Sequence, residues 1–307
     1  MKILTAAVAV VIPLGLGVSM PLPAGNPLTP EKIEAGRRLF ADTRLSRSGT
    51  IACTSCHDPD RAFTKPEAVS PGVFGRRGHR NAPTLINRAW GRVFFWDGRA
   101  ATLEEQVLKP IEDPNEMDLP LTEASVRVGL STGEIAQALA SYVRSLMSGN
   151  SAFDRFTAGD RSARSPEERD GLRLFQGRGN CTICHEGPNF TDEKLHNTGV
   201  AWAAADERAG LTGHFLDEGG AAIGGSLPAA RGAFKTPTLR EVARTAPYMH
   251  DGSLATLEEV VDFYNRGGRP NPNLDSDIEP LDFSDEDKTS LVAFLKSLSG
   301  DTVTTPR

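Results

Sequence analysis

Two five-residue segments carry most of the chemistry in this sequence: Cys53-Thr54-Ser55-Cys56-His57 and Cys181-Thr182-Ile183-Cys184-His185. Together they use all four cysteines of a 307-residue chain. Two thiols spaced by two residues can form thioethers to the vinyl groups of a haem, and the histidine that follows at once can reach the iron. Histidine is 6 of 307 residues, so its presence directly after both pairs is not what unrelated Cys-x-x-Cys units would show. A thioredoxin-like redox pair needs one such motif in a βαβ pattern, which is absent here. A zinc ribbon sets its pairs about 15 to 20 residues apart, whereas Cys53 and Cys181 are separated by 128. Disulfides of an exported protein would not require His57 and His185. The motifs therefore predict two covalently bound c-type haems, with Cys53, Cys56, Cys181 and Cys184 as attachment points and His57 and His185 as iron ligands.

The elements around the motifs repeat. Gly36-Arg37-Arg38-Leu39-Phe40 recurs as Gly171-Leu172-Arg173-Leu174-Phe175, each after a hydroxyl residue, Pro and Glu at Thr29 and Ser165. That order is a helix N-terminus signal, so a capped helix precedes each haem motif. Pro83-Thr84-Leu85 matches Pro237-Thr238-Leu239. Asp97-Gly98 with Ala101-Thr102-Leu103-Glu104-Glu105 matches Asp251-Gly252 with Ala255-Thr256-Leu257-Glu258-Glu259, both at an offset of 154. Two matches at one offset indicate internal duplication. The expected fold is mainly α and loop-rich, with two cytochrome c-like haem domains, residues 25–160 and 161–307. Helical spacing over Leu130 to Leu146 closes the first half before a linker near Gly159 to Arg164. The second half carries an extra Gly/Ala-rich stretch around Ala201 to Gly232.

The duplication permits a comparison of the two irons. Each Thr-Leu-Glu-Glu segment opens a helix expected over the distal face of its haem. Tyr264 in the second half corresponds to Pro110 in the first. A tyrosine can offer iron an oxygen, and a proline offers nothing. Taken alone, Tyr264 reads as a core tyrosine of an amphipathic helix with Val260, Val261 and Phe263, and Pro110 as a helix stop.

The 30 Gly and 21 Pro suit a globular chain with many turns. The net charge of −6, without a run of basic residues, gives no footprint for nucleic acid. Met1 to Val18 has one Lys near its start and an apolar stretch broken by Pro13, which reads as an export signal over residues 1–24. An uncleaved anchor is the alternative. The mature chain is expected in the periplasm with no stable membrane span.

The longer pattern resembles the bacterial di-haem cytochrome c peroxidases, and within them the MauG-like branch. The resemblance runs from about Pro30 to Leu298. It rests on Arg80-Asn81-Ala82-Pro83-Thr84, Phe95-Trp96-Asp97-Gly98-Arg99-Ala100, Gln106, Pro110, Pro114-Asn115-Glu116-Met117, and Ala246-Pro247-Tyr248-Met249-His250-Asp251-Gly252 through Phe263-Tyr264-Asn265. Ordinary members of the family carry Met where this chain has Tyr264, and the MauG-like branch carries Tyr. The resemblance implies an open first haem that binds hydrogen peroxide, with Glu116 as distal acid/base, Gln106 and Pro110 lining the pocket, and Trp96 between the haems. It also implies a calcium ion held by the Asn81 side chain and the carbonyls of Thr245 and Pro247, oxygen donors that suit a hard cation. By spacing alone, Glu116 reads as an exposed loop carboxylate among Glu112, Asp113 and Asp118.

Some positions depart from the family. His79 lies near where ordinary peroxidases carry a displaceable distal His, but out of register. The member that matures the tryptophan-derived quinone of methylamine dehydrogenase carries Trp two residues before the second motif, where this chain has Gly179. His196 and His250 fall at family positions as hydrogen-bonding partners, and His214 lies in the variable stretch, expected to be exposed. The expected function is a periplasmic peroxidase that reduces hydrogen peroxide at the first haem and draws electrons through a His185/Tyr264 haem from a small cytochrome c or copper protein. The alternatives are peroxide-driven oxidation of residues in a partner protein and a plain electron-transfer cytochrome; Pro110 argues against the last.

Overall fold

The computed structural model describes residues 20–205, 212–221 and 230–303. Residues 1–19 of the expected export signal, and parts of the Gly/Ala-rich stretch, lie outside them. The described chain is helix-rich with little sheet. Its helices are α1 (Pro30–Phe40), α2 (Leu103–Gln106), α3 (Lys109–Glu112), α4 (Leu121–Val128), α5 (Thr132–Ser145), α6 (Ala152–Thr157), α7 (Pro166–Gln176), α8 (Leu257–Asn265) and α9 (Asp285–Lys296). Sheet is limited to antiparallel pairs: β1 (Met147–Gly149) with β6 (Asp301–Val303), β2 (Leu195–His196) with β5 (Phe234–Lys235), and β3 (Trp202–Ala203) with β4 (His214–Phe215).

Thr29 caps α1 through the Lys32 N–H, and Ser165 caps α7 in a reciprocal pair with Glu168. Each has Pro in its first turn, where a missing N–H costs nothing. α1 packs on α5, and α7 packs on α9. Two apolar cores result. Phe40, Phe63 and Tyr142 meet edge to face in the first, while Phe175, Phe190, Phe294 and Phe153 of α6 do so in the second. The glycine that opens each repeated Gly-x-x-Leu-Phe segment is explained by this packing. A Cβ at Gly36 would lie 2.0 Å from the Ala138 carbonyl oxygen, and one at Gly171 would lie 1.9 Å from that of Ser290.

The offset of 154 recurs in the backbone. Asn87 and Glu241 share left-handed φ of 58° and 61° before equivalent helical turns, Arg88–Trp90 and Val242–Arg244. Phe95 and Met249 have φ of 66° and 70°, inside equivalent bridges Phe94 to Ala100 and Tyr248 to Leu254. Thr102 and Thr256 cap α2 and α8 alike.

The halves are joined reciprocally. The Asn81 N–H donates to the His250 carbonyl at 2.7 Å, and the Lys235 N–H donates to the Trp96 carbonyl at 2.6 Å. At the offset of 154 these two bonds are the same bond drawn in opposite directions. A buried ion pair, Arg88 with Glu193 at 2.7 Å, lies beside them. At the far side Asn87 binds both N–H and C=O of Ser148 in β1, and Glu241 accepts from the Ser148 hydroxyl and from the Gly300 N–H.

Substituting Gly171→Ala should destabilise the protein by ~1–3 kcal/mol, because α9 backbone rather than a flexible side chain must move. Gly133→Ala, where a Cβ meets nothing within 4 Å, should be close to neutral. Urea unfolding of both variants checks the difference.

Candidate functional site

Each Cys-x-x-Cys-His segment folds as one tight turn. Cys53–Ser55 and Cys181–Ile183 are short 3-10 turns, and the His57 and His185 N–H groups each donate to the carbonyl of the first cysteine at 2.9 Å. That closure puts both sulfurs and the imidazole on one side of the turn. The far ring nitrogen is engaged identically in both: Nδ1 of His57 lies 2.9 Å from the Phe63 carbonyl oxygen, and Nδ1 of His185 lies 2.9 Å from that of Phe190. Donation from Nδ1 fixes the tautomer and leaves Nε2 with its lone pair. Burial holds both histidines below the ordinary range, His185 at about 4, so each is neutral as a ligand must be.

None of the four cysteines is paired in a disulfide. Burial pushes Cys53 and Cys181 up to about 12, the reverse of a catalytic Cys-x-x-Cys pair, whose nucleophile is lowered. Both motifs face one cavity of about 1000 Å³, at the top of the range for pockets that hold organic ligands (~300–1000 Å³). Cys181, Cys184 and His185 line one end and Cys56 and His57 the other, with Cys53 on an adjoining space of about 70 Å³; two thiols and one lone-pair imidazole per site fit a pair of covalently held haems. No group of three or more His, Cys, Asp and Glu side chains is arranged to hold a metal ion among the described residues.

The side of the cavity nearest His57 gathers Gln106, Pro110 and Glu116. The same three also line an adjoining space of about 70 Å³ with Cys53, Cys56 and His57. Glu116 is not the exposed loop carboxylate that spacing alone suggested. Burial, reinforced by Asp113 and opposed by Arg99, raises it to about 7. A carboxyl poised there can both hold and release a proton at neutral pH.

The helix over this site differs from its counterpart. α8 runs unbroken for nine residues and carries Tyr264, which faces the cavity, in its last turn. In the first half the equivalent stretch breaks into α2 and α3, with Pro110 in the first turn of α3. Burial drives the Tyr264 phenol above its ordinary value, with the Cys184 and Cys181 sulfurs adding to this. It ionises only if a cation meets its oxygen.

Trp96 lies on the cavity wall, its Nε1–H donated to the Asn81 carbonyl at 2.9 Å. Asn81, Thr245 and Pro247 line the same cavity. The Asn81 amide nitrogen donates to the Ala68 carbonyl at 3.2 Å, which turns its amide oxygen away from that carbonyl. His79 is exposed at the cavity edge, and His214 is exposed as expected. His196 is held between Asp275 at 2.6 Å and Asp192 at 3.0 Å. The Cys184 sulfur, then these carboxylates, raise it to about 10. The His250 ring stacks on Phe234, with centroids 3.7 Å apart. Gly179 has no room for a side chain: a Cβ would sit 2.9 Å from the Leu174 carbonyl oxygen and 3.2 Å from both the Cys181 sulfur and Phe283.

Three features escaped sequence reasoning. Lys235 is buried in the cavity wall, its Nζ donating to the Thr236 carbonyl and 3.9 Å from Glu193. Burial, with Arg88 adding, lowers it to about 7. The offset of 154 could have flagged it, since it is the counterpart of Asn81. The Arg88–Glu193 and Arg80–Asp217 pairs had no local signal, because their partners are more than 100 residues away.

The sequence profile of the di-haem cytochrome c peroxidases matches residues 30–162. The methylamine utilization protein MauG of Methylorubrum extorquens is 37% identical over 301 residues, covering 92% of this chain and 82% of that protein. The cytochrome-c peroxidase IdrP2 of Denitromonas iodatirespirans is 36% identical over 315 residues, covering 91% and 84%. Among solved structures, a MauG-like protein associated with microbial copper homeostasis superposes with a TM-score of 0.79 at 32% identity, covering 91% of this chain and 92% of that one. The di-haem peroxidase BthA of Burkholderia thailandensis gives 0.76 at 26%, covering 89% and 86%.

The raised Glu116 has a consequence for stability. The folded chain keeps its proton up to about pH 7, while the unfolded chain loses it near 4.5. Folding stability therefore falls as pH rises between those values. Glu116→Gln should stabilise the protein at pH 8 and not at pH 4, which urea unfolding at the two pH values measures.

Proposed function

From the premise that the chain belongs to the di-haem cytochrome c peroxidase family that includes MauG, we propose that it is an exported oxidoreductase that reduces hydrogen peroxide at its first haem site. Two halves, residues 25–160 and 161–307, form haem domains related by duplication, with α6 of the first packed on the core of the second. Cys53, Cys56 and His57 hold one haem, and Cys181, Cys184, His185 and Tyr264 hold the other. Calcium is held by Asn81, Thr245 and Pro247. No helix among the described residues is long and apolar enough to cross a membrane, and a periplasmic location is part of the proposal.

The observation that carries the reading is the break between α2 and α3 at the position where α8 continues to Tyr264. The first site thereby lacks a sixth protein ligand. When bound there, the haem supplies an iron that takes peroxide and accepts its oxidising equivalents. Glu116 would take the proton from one peroxide oxygen and return it to the other, which would leave as water, the retained oxygen staying with its oxidising equivalents at the site the haem would occupy. The full balance is H2O2 with two protons and two electrons giving two waters, the electrons coming from a small cytochrome c or copper protein. Gln106 and Pro110 shape the pocket, and Trp96 carries single electrons between the halves.

Tyr264 supports a second reading, peroxide-driven oxidation of residues in a partner protein, because an anionic oxygen favours the oxidised iron over the reduced. Gly179 limits it: there is no aromatic side chain at that position to pass charge to such a partner.

Electron paramagnetic resonance of the oxidised protein should show one high-spin and one low-spin ferric signal, and Tyr264→Phe should alter the low-spin one. Two low-spin signals in the unmodified protein would contradict an open site. Glu116→Gln should slow the reaction with peroxide by ~10²- to 10⁴-fold, read by stopped flow. Rapid turnover with reduced cytochrome c only after prior one-electron reduction would favour the plain peroxidase. Storage of two oxidising equivalents without prior reduction would favour the second reading.

A further inference from the structure

We infer that Arg80, anchored by Asp217, is a positioning residue that fixes the Trp96 indole between the two halves. This rests on the reading of Trp96 as the carrier between the haem sites.

Residues 80–81 grip residues 96–97 at two points. The Asn81 carbonyl accepts the indole Nε1–H at 2.9 Å. The Arg80 Nη1 donates to Asp97 Oδ2 at 2.6 Å. Arg80 then uses its remaining edge on Asp217, with Nε to Oδ2 at 2.7 Å and Nη2 to Oδ1 at 2.8 Å, a bidentate pair that fixes the guanidinium plane. Asp217 is itself held by the Gly219 N–H at 2.9 Å. Arg99 holds Asp97 from the other side at 2.9 and 3.1 Å and lies over the Phe95 ring. The Arg80 and Asp97 side chains are 17% and 6% exposed, so this network is shielded from solvent screening.

The duplication shows that the fold does not need this grip. The counterpart of Arg80 is Phe234, which stacks on His250, the counterpart of Trp96. Asp251, the counterpart of Asp97, accepts from the Ser253 N–H. Asp217 belongs to the stretch that only the second half has. Two departures from the repeat thus meet each other, and they meet beside the indole. A purely architectural clamp would be expected in both halves; this one sits only where Trp96 does.

In its proposed role Trp96 gives one electron to the first site and regains one from the second, so the indole is unchanged after each transfer. Its ring must keep one orientation and distance to both sites, because electron tunnelling weakens steeply with separation.

The test uses the di-haem holoprotein and the variants D217N, W96F and W96F/D217N. After flash reduction of one haem equivalent by a photoexcited flavin, the equilibration rate between haems is followed optically. D217N should slow it several-fold, and D217E should recover part of the loss. In the W96F background D217N should have no further effect, an interaction that a merely structural role would not produce. Ultraviolet resonance Raman, taken as a difference from W96F to isolate one of the three tryptophans, should show the Trp96 hydrogen-bond band shifted in D217N. An unmoved band, or an equal slowing by D217N with and without Trp96, overturns the inference. A W96F rate equal to that of the parent overturns instead the reading of Trp96 as carrier, while a shifted band would still support the anchoring.

Discussion

Two hydrogen bonds that cross between the halves, Asn81 N–H to the His250 carbonyl and Lys235 N–H to the Trp96 carbonyl, set the geometry of everything else. Each carries a backbone group of one half to a residue at the cavity wall of the other, so neither wall is complete without its neighbour. Because the bonds are equivalent, they fix a pseudo-twofold relation rather than a single point of contact. The buried Arg88–Glu193 pair beside them is costly to break from one side alone, typically ~3–5 kcal/mol, and so reinforces one docked arrangement.

On that near-symmetric frame, the chemistry comes from what is unequal. The carboxyl of Glu116 and the broken helix at Pro110 lie in one half, and the phenol of Tyr264 on an unbroken helix lies in the other. Lys235 replaces Asn81 at equivalent positions, so one side of the crossing carries an amide and the other a buried amine. Backbone equivalence supplies placement, and side-chain differences make the two ends of the cavity chemically unlike.

Much of this was legible in the sequence because it was local. The Thr29, Ser165, Thr102 and Thr256 caps are read from three or four residues, and each appears where the spacing put it. The Cys-x-x-Cys-His turns are equally local, and the offset of 154 extended that reading to whole halves. The burial of Glu116 was not legible, since it depends on a chain fold that brings its loop against the first motif, and neighbouring acidic residues pointed the other way. Asp217, which anchors Arg80, and Glu193, which pairs with Arg88, lie 137 and 105 residues away, beyond any periodicity. Gly179 was visible as a missing Trp, but only packing against Leu174 and Phe283 shows that the position is closed to a side chain.

The short sheet formed by β1 and β6 ties the end of the first half to the end of the second, and the buried Asn87 and Glu241 depend on it for their partners. A strand near the end of the described residues thus completes a pairing begun midway along the chain. Closure of the molecule is therefore contingent on both partners: a chain cut short before residue 301 would leave β1 without its neighbour strand.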